Sequence, residues 1–284
     1  MTGLGNETRI EKVIPDHFGI RGCIMGNYLV VSRVENLEKH MALSREYGVA
    51  FEINDFYDPG VLEDRQRQQH IIAKYREIGI PEGSTMHGAF LDVVVFSRDP
   101  GIRKVSEQRM RQSMELAAEL GVKGVVFHTN VNPMLSAKEY DDNAVRGTSL
   151  YLENLLSDFP DIEIYLENMF DASPDVLVQI SQNLSHYPNY GVCFDYAHAM
   201  IYGTAIDNWA KQLAPYVKHI HINDNDLKHD LHLALGTGRI DWKQFFEYYN
   251  MYFRDCSVLI ETTRPDMQRT SLEYLAETGG IYGE

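Results

Sequence analysis

Short apolar segments alternate with longer amphipathic segments along almost the whole chain. The short segments are nearly continuous in apolar side chains, which is typical of strands buried on both faces of a parallel sheet. They predict eight strands, at residues 20–25, 50–54, 85–90, 125–128, 162–167, 191–195, 217–222 and 258–261.

The longer segments carry apolar side chains at helical spacing, and several of them end at a glycine. In segment 102–120, for example, Met110, Met114 and Ala117 lie on one stripe, and Gly121 follows the end. These segments predict helices at residues 34–47, 60–78, 102–120, 137–159, 174–184, 209–216, 242–249 and 267–276.

The two series together give eight strand-then-helix units with no linker between them. This order predicts α/β architecture in a single domain over residues 1–284, a parallel eight-stranded (β/α)8 TIM barrel with outer helices. A doubly wound open sheet is the alternative. The barrel is favoured because polar residues follow the third to eighth strands in turn, and only a closed barrel brings those strand ends to one mouth.

The charge of the chain bears on its partners. The formal net charge is −15, and no long run of lysine or arginine is present. Proteins that bind nucleic acid usually neutralise phosphates with clustered basic residues, so nucleic acid is disfavoured as a partner.

No apolar run reaches the length of a membrane span, and the first residues lack the apolar centre of a signal peptide, so we expect a cytoplasmic protein.

Three cysteines lie in apolar segments without CxxC spacing, and we expect them to be buried, reduced thiols: Cys23, Cys193 and Cys256. Two histidines near the predicted seventh strand have ordinary interpretations. His219 is expected to be hydrogen-bonded in the core, and His229 to be solvated. The glycines at 236 and 238 are expected to turn the chain back toward the barrel.

Histidines and acidic residues are concentrated at or after the predicted strand ends. Singly, each has an ordinary role, such as a histidine bonded to backbone or an aspartate at a helix N-terminus. Together, buried carboxylates with few basic neighbours would be costly unless divalent cations neutralised them. The sequence therefore predicts at least one metal ion. The candidate metal ligands are His87, His128, Glu167, Asp195, His198, His221, Asp230, His232 and Glu261.

Four motifs, GVCFDYAH, HIHINDND, DLHLALGTGRI and LIETTRPD, together with His87 and His128, resemble the endonuclease IV/xylose isomerase-like superfamily of TIM barrels. The resemblance runs from about the third strand to the eighth. Endonuclease IV holds three zinc ions, and its nine-ligand pattern falls residue by residue on the nine candidates. A smaller set is shared with sugar isomerases and epimerases, which use one ion such as Mn, Co or Mg: Glu167, Asp195, His221 and Glu261.

The resemblance implies two possible activities. In the first, the chain is a sugar or sugar-phosphate isomerase or epimerase, in which a metal polarises the substrate carbonyl and Glu167 and Glu261 transfer the proton. Asn223 and Arg264 are then candidate substrate-binding residues. The alternative is an endonuclease IV-like trinuclear zinc phosphodiesterase. The loops after the strands are rich in acid and sparse in base, which favours a small carbohydrate or phosphate-ester substrate.

An aromatic cluster surrounds the predicted seventh helix, and its members are Phe245, Phe246, Tyr248, Tyr249, Tyr252 and Phe253. Aromatic residues are enriched at interface cores, so the cluster raises the possibility of a homo-oligomer. The alternative is that these rings pack a helix against the outer wall of the barrel.

Overall fold

A closed barrel of eight parallel strands forms the centre of the molecule in the computed structural model, which describes residues 27–135 and 137–278. Each strand pairs with the next in sequence, and the eighth returns to the first. This arrangement confirms the barrel and excludes the open sheet. The strands are β1 Tyr28–Ser32, β2 Ala50–Ile53, β3 Thr85–His87, β4 Gly124–His128, β5 Glu163–Glu167, β6 Tyr190–Asp195, β7 Val217–Ile222 and β8 Ser257–Ile260.

Helices surround the barrel, and a 3-10 turn at Val34–Asn36 and a π-helical turn at Tyr249–Phe253 adjoin two of them. The helices are α1 Leu37–Tyr47, α2 Pro59–Glu63, α3 Arg65–Ile78, α4 Pro100–Leu120, α5 Lys138–Asp158, α6 Asp175–Leu184, α7 Tyr196–Tyr202, α8 Ile206–Leu213, α9 Trp242–Tyr248 and α10 Pro265–Thr278. Within the described ranges, no helix is long and apolar enough to cross a membrane.

The first barrel strand differs from the prediction. The predicted strand at 20–25 lies outside the described residues, and the strand that pairs with both β2 and β8 is Tyr28–Ser32. All five of its residues are buried. The sequence YLVVS is an apolar run of the kind that forms the other strands, although the predicted elements do not include it.

The predicted helix at 60–78 is interrupted. Asp64 has extended backbone angles and accepts a hydrogen bond from the amide of Arg67, so it ends α2 and caps α3. The predicted third strand at 85–90 is also shorter, ending at His87. Gly88 then passes against the ring of Phe127, where an added Cβ would lie 2.3 Å from a ring carbon. These close contacts leave no room for a side chain at position 88.

Alternate strand residues face opposite sides of the barrel wall, and this alternation places the site. Ile220 and Ile222 of β7 belong to the large core between strands and helices. His219 and His221, which alternate with them, belong to the opposite row, which faces the barrel interior. The polar residues at the mouth continue inward-facing rows that begin with buried side chains of the barrel interior: His128 follows Val126, and Glu261 follows Leu259, at a spacing of two residues.

Two further sequence predictions concern buried side chains. Cys193 and Cys256 are buried and free, as predicted, whereas Cys23 lies outside the described residues. Phe245, Tyr248 and Phe253 of the aromatic cluster are buried in the core, and the other three rings pack against it. The cluster therefore packs the wall of the barrel, and a homo-oligomer stays a prediction without support from it.

The half-buried carboxyl group of Asp55, in the loop after β2, makes stability depend on pH. Burial raises the pKa of Asp55 from 3.8 to about 6, although hydrogen bonds from the Tyr75 hydroxyl and the Val34 amide lower it. The folded protein therefore binds this proton more tightly than the unfolded chain. Its contribution to stability is fully present below about pH 4 and is lost as the pH rises through about 6.

We expect Asp55→Asn to remove this part of the pH dependence. Between pH 4.5 and 7, the free energy of unfolding of the wild type should fall relative to that of the variant, by at most about 3 kcal/mol. Urea unfolding of both proteins at the two pH values measures the difference. Parallel pH profiles of the two proteins would show that Asp55 has an ordinary pKa.

Candidate metal-binding site at the barrel mouth

The structure brings all nine candidate side chains to the carboxyl end of the barrel. His87, His128 and Glu167 are the last residues of β3, β4 and β5, and Asp195 is the last residue of β6. The remaining five come from α7, β7, the loop after β7 and the residue after β8; they are His198, His221, Asp230, His232 and Glu261. The nine residues form three adjoining groups, and Glu167 belongs to the first two.

The first group consists of His87, His128 and Glu167. The Nε2 atoms of the two histidines lie 3.1 Å apart, and that of His128 lies 3.3 Å from Glu167 Oε2. His87 Nδ1 donates to the carbonyl of Gly88 at 3.0 Å. In the neutral ring this leaves the lone pair on Nε2, which faces the other two side chains. These three residues could hold a metal ion.

The second group consists of Glu167, Asp195, His221 and Glu261. His221 Nδ1 lies 3.3 Å from Glu167 Oε2 and 3.7 Å from Glu261 Oε1. Ligand atoms of Glu167, Asp195 and His221 all lie within 4.8 Å of one another. Glu167, Asp195 and His221 have no solvent exposure, so their charges are enclosed by protein.

The third group is nearer the solvent and consists of His198, Asp230 and His232. Asp230 Oδ2 lies 3.3 Å from His198 Nε2 and 2.9 Å from His232 Nε2. The Nδ1 atoms of both histidines donate to backbone carbonyls, those of Asn168 and Glu261. Both rings therefore present Nε2 to Asp230, as His87 presents Nε2 to the first group.

The loop between β7 and α9 carries Asp230 and His232, and Asp224 holds it in place. Asp224 pairs with Leu233 through two backbone hydrogen bonds. Its carboxylate accepts from the indole of Trp242 and from the amides of Asn225 and Ile240. These hydrogen bonds hold the two ends of the loop together, so that its middle part returns to the mouth.

The turn in that loop depends on two glycines. Gly236 has φ +77°, and an added Cβ at Gly238 would lie 2.3 Å from Asp224 Oδ1. The first glycine therefore allows a left-handed backbone, and the second allows close approach to the anchoring carboxylate. Both features agree with the turn predicted at these positions.

The pKa values of neighbouring carboxyl groups are displaced in opposite directions. Burial raises the pKa of Asp195 well above its usual value; His198 opposes this, whereas the charges of Glu261 and Glu167 add to it. Burial also acts to raise the pKa of Glu167, but the nearby rings of His221 and His128 hold it well below its usual value. Two adjoining carboxylates thus cannot both be charged without a positive partner.

The donor set of the second group fits a divalent cation. Several of its buried atoms have no hydrogen-bond partner, namely both oxygens of Glu167, Oδ2 of Asp195 and both ring nitrogens of His221. Among the described residues, the ion pairs of the nine-residue site involve only its own histidines and carboxylates and Glu52. Carboxylate and imidazole donors without basic partners suit a divalent metal.

Sequence reasoning missed Glu52, which is fully buried in β2 beneath the mouth. Its carboxylate accepts a hydrogen bond from Thr85 and lies beside His219 and His221. Burial acts to raise the pKa of Glu52, but His221 and His219 lower it overall, which keeps the carboxylate charged. A single charged residue in the apolar segment AFEI was the signal that could have revealed it.

The two candidate substrate-binding residues differ in position. Asn223 is buried beside Glu261, to which its side-chain amide donates at 3.4 Å. Arg264 is exposed, and its guanidinium pairs with Asp266 rather than with a residue of the site. A role of Arg264 in binding substrate stays a prediction.

The chain matches a known protein family over most of its length. A family model described as a xylose isomerase-like TIM barrel matches residues 41–278. The uncharacterised protein MJ1614 of Methanocaldococcus jannaschii is 28% identical over 164 residues, 57% of this chain and 63% of that protein. The match thus spans less than two thirds of that relative.

Two solved structures resemble the whole barrel. The TTHB071 protein from Thermus thermophilus, soaked with ZnCl2, has a TM-score of 0.74 at 22% identity, covering 91% of this chain and 100% of that one. A D-tagatose 3-epimerase-like protein has a TM-score of 0.72 at 24% identity, covering 90% and 97%. At these identities the likeness establishes the shared fold.

Proposed function

This chain belongs to the xylose isomerase-like TIM barrel family, and on that basis we propose that it is a divalent-metal-dependent isomerase or epimerase of small sugars or sugar phosphates. The proposal places a metal ion among Glu167, Asp195, His221 and Glu261. The similarity of the fold to a D-tagatose 3-epimerase-like protein supports this reaction class.

One observation carries the proposal: two glutamates adjoin the same imidazole nitrogen. Glu167 and Glu261 lie 3.3 and 3.7 Å from His221 Nδ1, and Asp195 lies beside Glu167. A metal ion at this point would polarise a substrate carbonyl and acidify the neighbouring C–H bond. Both glutamates are then close enough to the metal site to act on the same substrate.

The two carboxylates have complementary parts in proton transfer. One removes the proton from the carbon next to the carbonyl, and the other returns a proton to the opposite face, which inverts that carbon without changing the composition of the sugar. Asn223 orients Glu261 by donating to Oε2. If the proton is returned to the former carbonyl carbon instead, and a hydroxyl proton moves from one oxygen to the other, the product is the isomer with the carbonyl on the adjacent carbon.

A basic and aromatic wall beside the first group supports a phosphorylated substrate. Arg33 follows β1, and its guanidinium carbon lies 5.6 Å from the ring centre of Tyr57. Tyr57 packs on Phe90, whose ring centre lies 5.1 Å from that of His87 and 4.9 Å from that of His128. Phe90 therefore connects the metal-binding histidines with this arginine.

Arg33 is the residue of this wall that could bind an anion. Its Nε is enclosed without a hydrogen-bond partner, and within the described part of the chain it forms no ion pair. Although the charge of Arg33 acts on Asp55, a guanidinium without an ion-pair partner is suited to a phosphate group. We therefore assign the phosphate of a sugar phosphate to Arg33, and the sugar ring to the space beside Phe90.

The first and third groups of the site favour a second function, which is hydrolysis of a phosphate ester at a three-metal centre. His87 and His128 adjoin Glu167 Oε2, and His198 and His232 adjoin Asp230. A single-metal isomerase does not require these five additional ligands. Several ions could activate water and stabilise a leaving oxygen together. The net charge of −15 argues against duplex DNA as the substrate.

The two functions are separated by a substrate panel in D2O. Enzyme loaded with Zn, Mn, Co or Mg is incubated with ketoses and ketose phosphates, with a phosphodiester, and with duplex DNA that contains an abasic site. We expect deuterium to enter the sugar at the carbon next to the carbonyl, faster with phosphorylated sugars. Cleavage of a phosphodiester without any deuterium exchange would contradict the isomerase proposal and support the hydrolase.

A further inference from the structure

His221 is turned differently from the other histidines of the site. His87, His198 and His232 donate through Nδ1 to backbone carbonyls and present Nε2 to the site. His221 instead presents Nδ1 to the carboxylates of Glu167 and Glu261. Its other nitrogen points away from the mouth, toward the deeper layer of the barrel.

Glu52 occupies that deeper layer and faces His221 Nε2. Its Oε1 lies 3.4 Å from His221 Nε2 and has no other partner. Its Oε2 accepts a hydrogen bond from Thr85 Oγ1 at 2.8 Å and lies 3.2 Å from His219 Nε2. One oxygen is thus fixed by Thr85 and His219, and the other is left for His221.

A metal-binding histidine must keep a lone pair on the nitrogen that faces the ion, so its proton must be on the other nitrogen. For His221 this requires a proton on Nε2. A buried acceptor beside Nε2 stabilises that tautomer and fixes the plane of the ring. Glu52 Oε1, 3.4 Å from Nε2, offers this acceptor.

We infer that Glu52 is a positioning residue that holds His221 with Nε2 protonated and Nδ1 directed at the metal-binding carboxylates. The inference rests on the proposed metal site and adds a residue to it that touches neither metal nor substrate. It also explains why β2 carries a charged residue in an otherwise apolar, fully buried strand.

The variant Glu52→Gln tests this inference. Thr85 and His219 would engage the carboxamide oxygen, so the amide NH2 group would face His221 Nε2 and favour a proton on Nδ1, the wrong tautomer for metal binding. We expect its zinc affinity, measured by competition with a chelator, to fall about 10- to 100-fold. Melting curves of the metal-free proteins establish that the variant is folded.

Ser257→Ala is the matched control. The Ser257 hydroxyl lies 2.7 Å from His219 Nδ1, so this variant disturbs the same buried layer without removing a contact of His221. We expect it to bind zinc as the wild type does. Wild-type affinity in Glu52→Gln, or an equal loss in Ser257→Ala, would overturn the positioning role. A folded wild type that binds no divalent ion would instead reject the proposed metal site itself.

A second measurement does not depend on the folding of any variant. Long-range 1H–15N spectra of the zinc-loaded wild type, labelled at the histidine nitrogens, report which nitrogen of His221 carries the proton. We expect a protonated Nε2 and a metal-bound Nδ1. A proton on Nδ1 in the zinc-loaded protein would overturn the inference even if Glu52→Gln does not fold.

Discussion

Replacing Glu167 by glutamine is expected to lower zinc affinity by more than about 100-fold and to abolish turnover. Glu167 Oε2 adjoins His128 and His221 at 3.3 Å, and Oε1 lies 3.5 Å from His198 Nδ1. The side chain therefore belongs to the first two groups and also adjoins His198 of the third. Chelator competition measures affinity, and deuterium exchange into the substrate measures turnover.

The control for this variant is Glu163→Gln, at the other end of the same strand. Glu163 pairs with Lys123 and Lys218 near the surface, at 3.5 and 3.4 Å. The same chemical change at that position should leave metal binding and turnover unchanged. Metal affinity that survived in Glu167→Gln would contradict the shared role of Glu167.

Glu261→Gln is expected to reduce turnover by about 10²- to 10⁴-fold, the usual range for loss of a group that transfers a proton. Glu261 follows β8, and its side chain is only 11% exposed. Glutamine has the same shape, its side-chain oxygen can still accept the hydrogen bond from Asn223, and the bond from His232 goes to the backbone carbonyl at position 261, so the barrel should fold as in the wild type. Turnover and circular dichroism of the purified variant measure the two effects.

The matched control is Glu247→Gln, on the exposed face of α9. It removes one negative charge from the same part of the chain without touching the mouth, and we expect full activity. If Glu261→Gln also kept full activity on the true substrate, neither the isomerase nor the hydrolase reaction could involve this carboxylate as described.

The positions of the candidate ligands were predictable because the barrel imposes them. Parallel strands end at one mouth, so polar residues that close successive apolar segments must converge there. His87, His128, Glu167 and Asp195 are each the last residue of a strand. The prediction that these residues meet at the mouth therefore did not require knowledge of their mutual distances.

The features that escaped prediction depend on contacts between distant segments. Glu52 is separated from His219 by 167 positions, and no local pattern shows that the two side chains meet. The break at Asp64 depends on a capping hydrogen bond that competes with a continuous helical pattern. The wall of Arg33, Tyr57 and Phe90 joins three loops, which hydrophobic periodicity does not describe.

The central claim is a metal ion bound by Glu167, Asp195, His221 and Glu261. The most direct test is an anomalous difference map at the zinc edge from crystals of the wild-type protein grown with ZnCl2. We predict a peak within bonding distance of Glu167 and His221 Nδ1. Additional peaks beside His87 and His128, and between His198 and His232, would favour the hydrolase. A map with no peak at Glu167 would contradict the account.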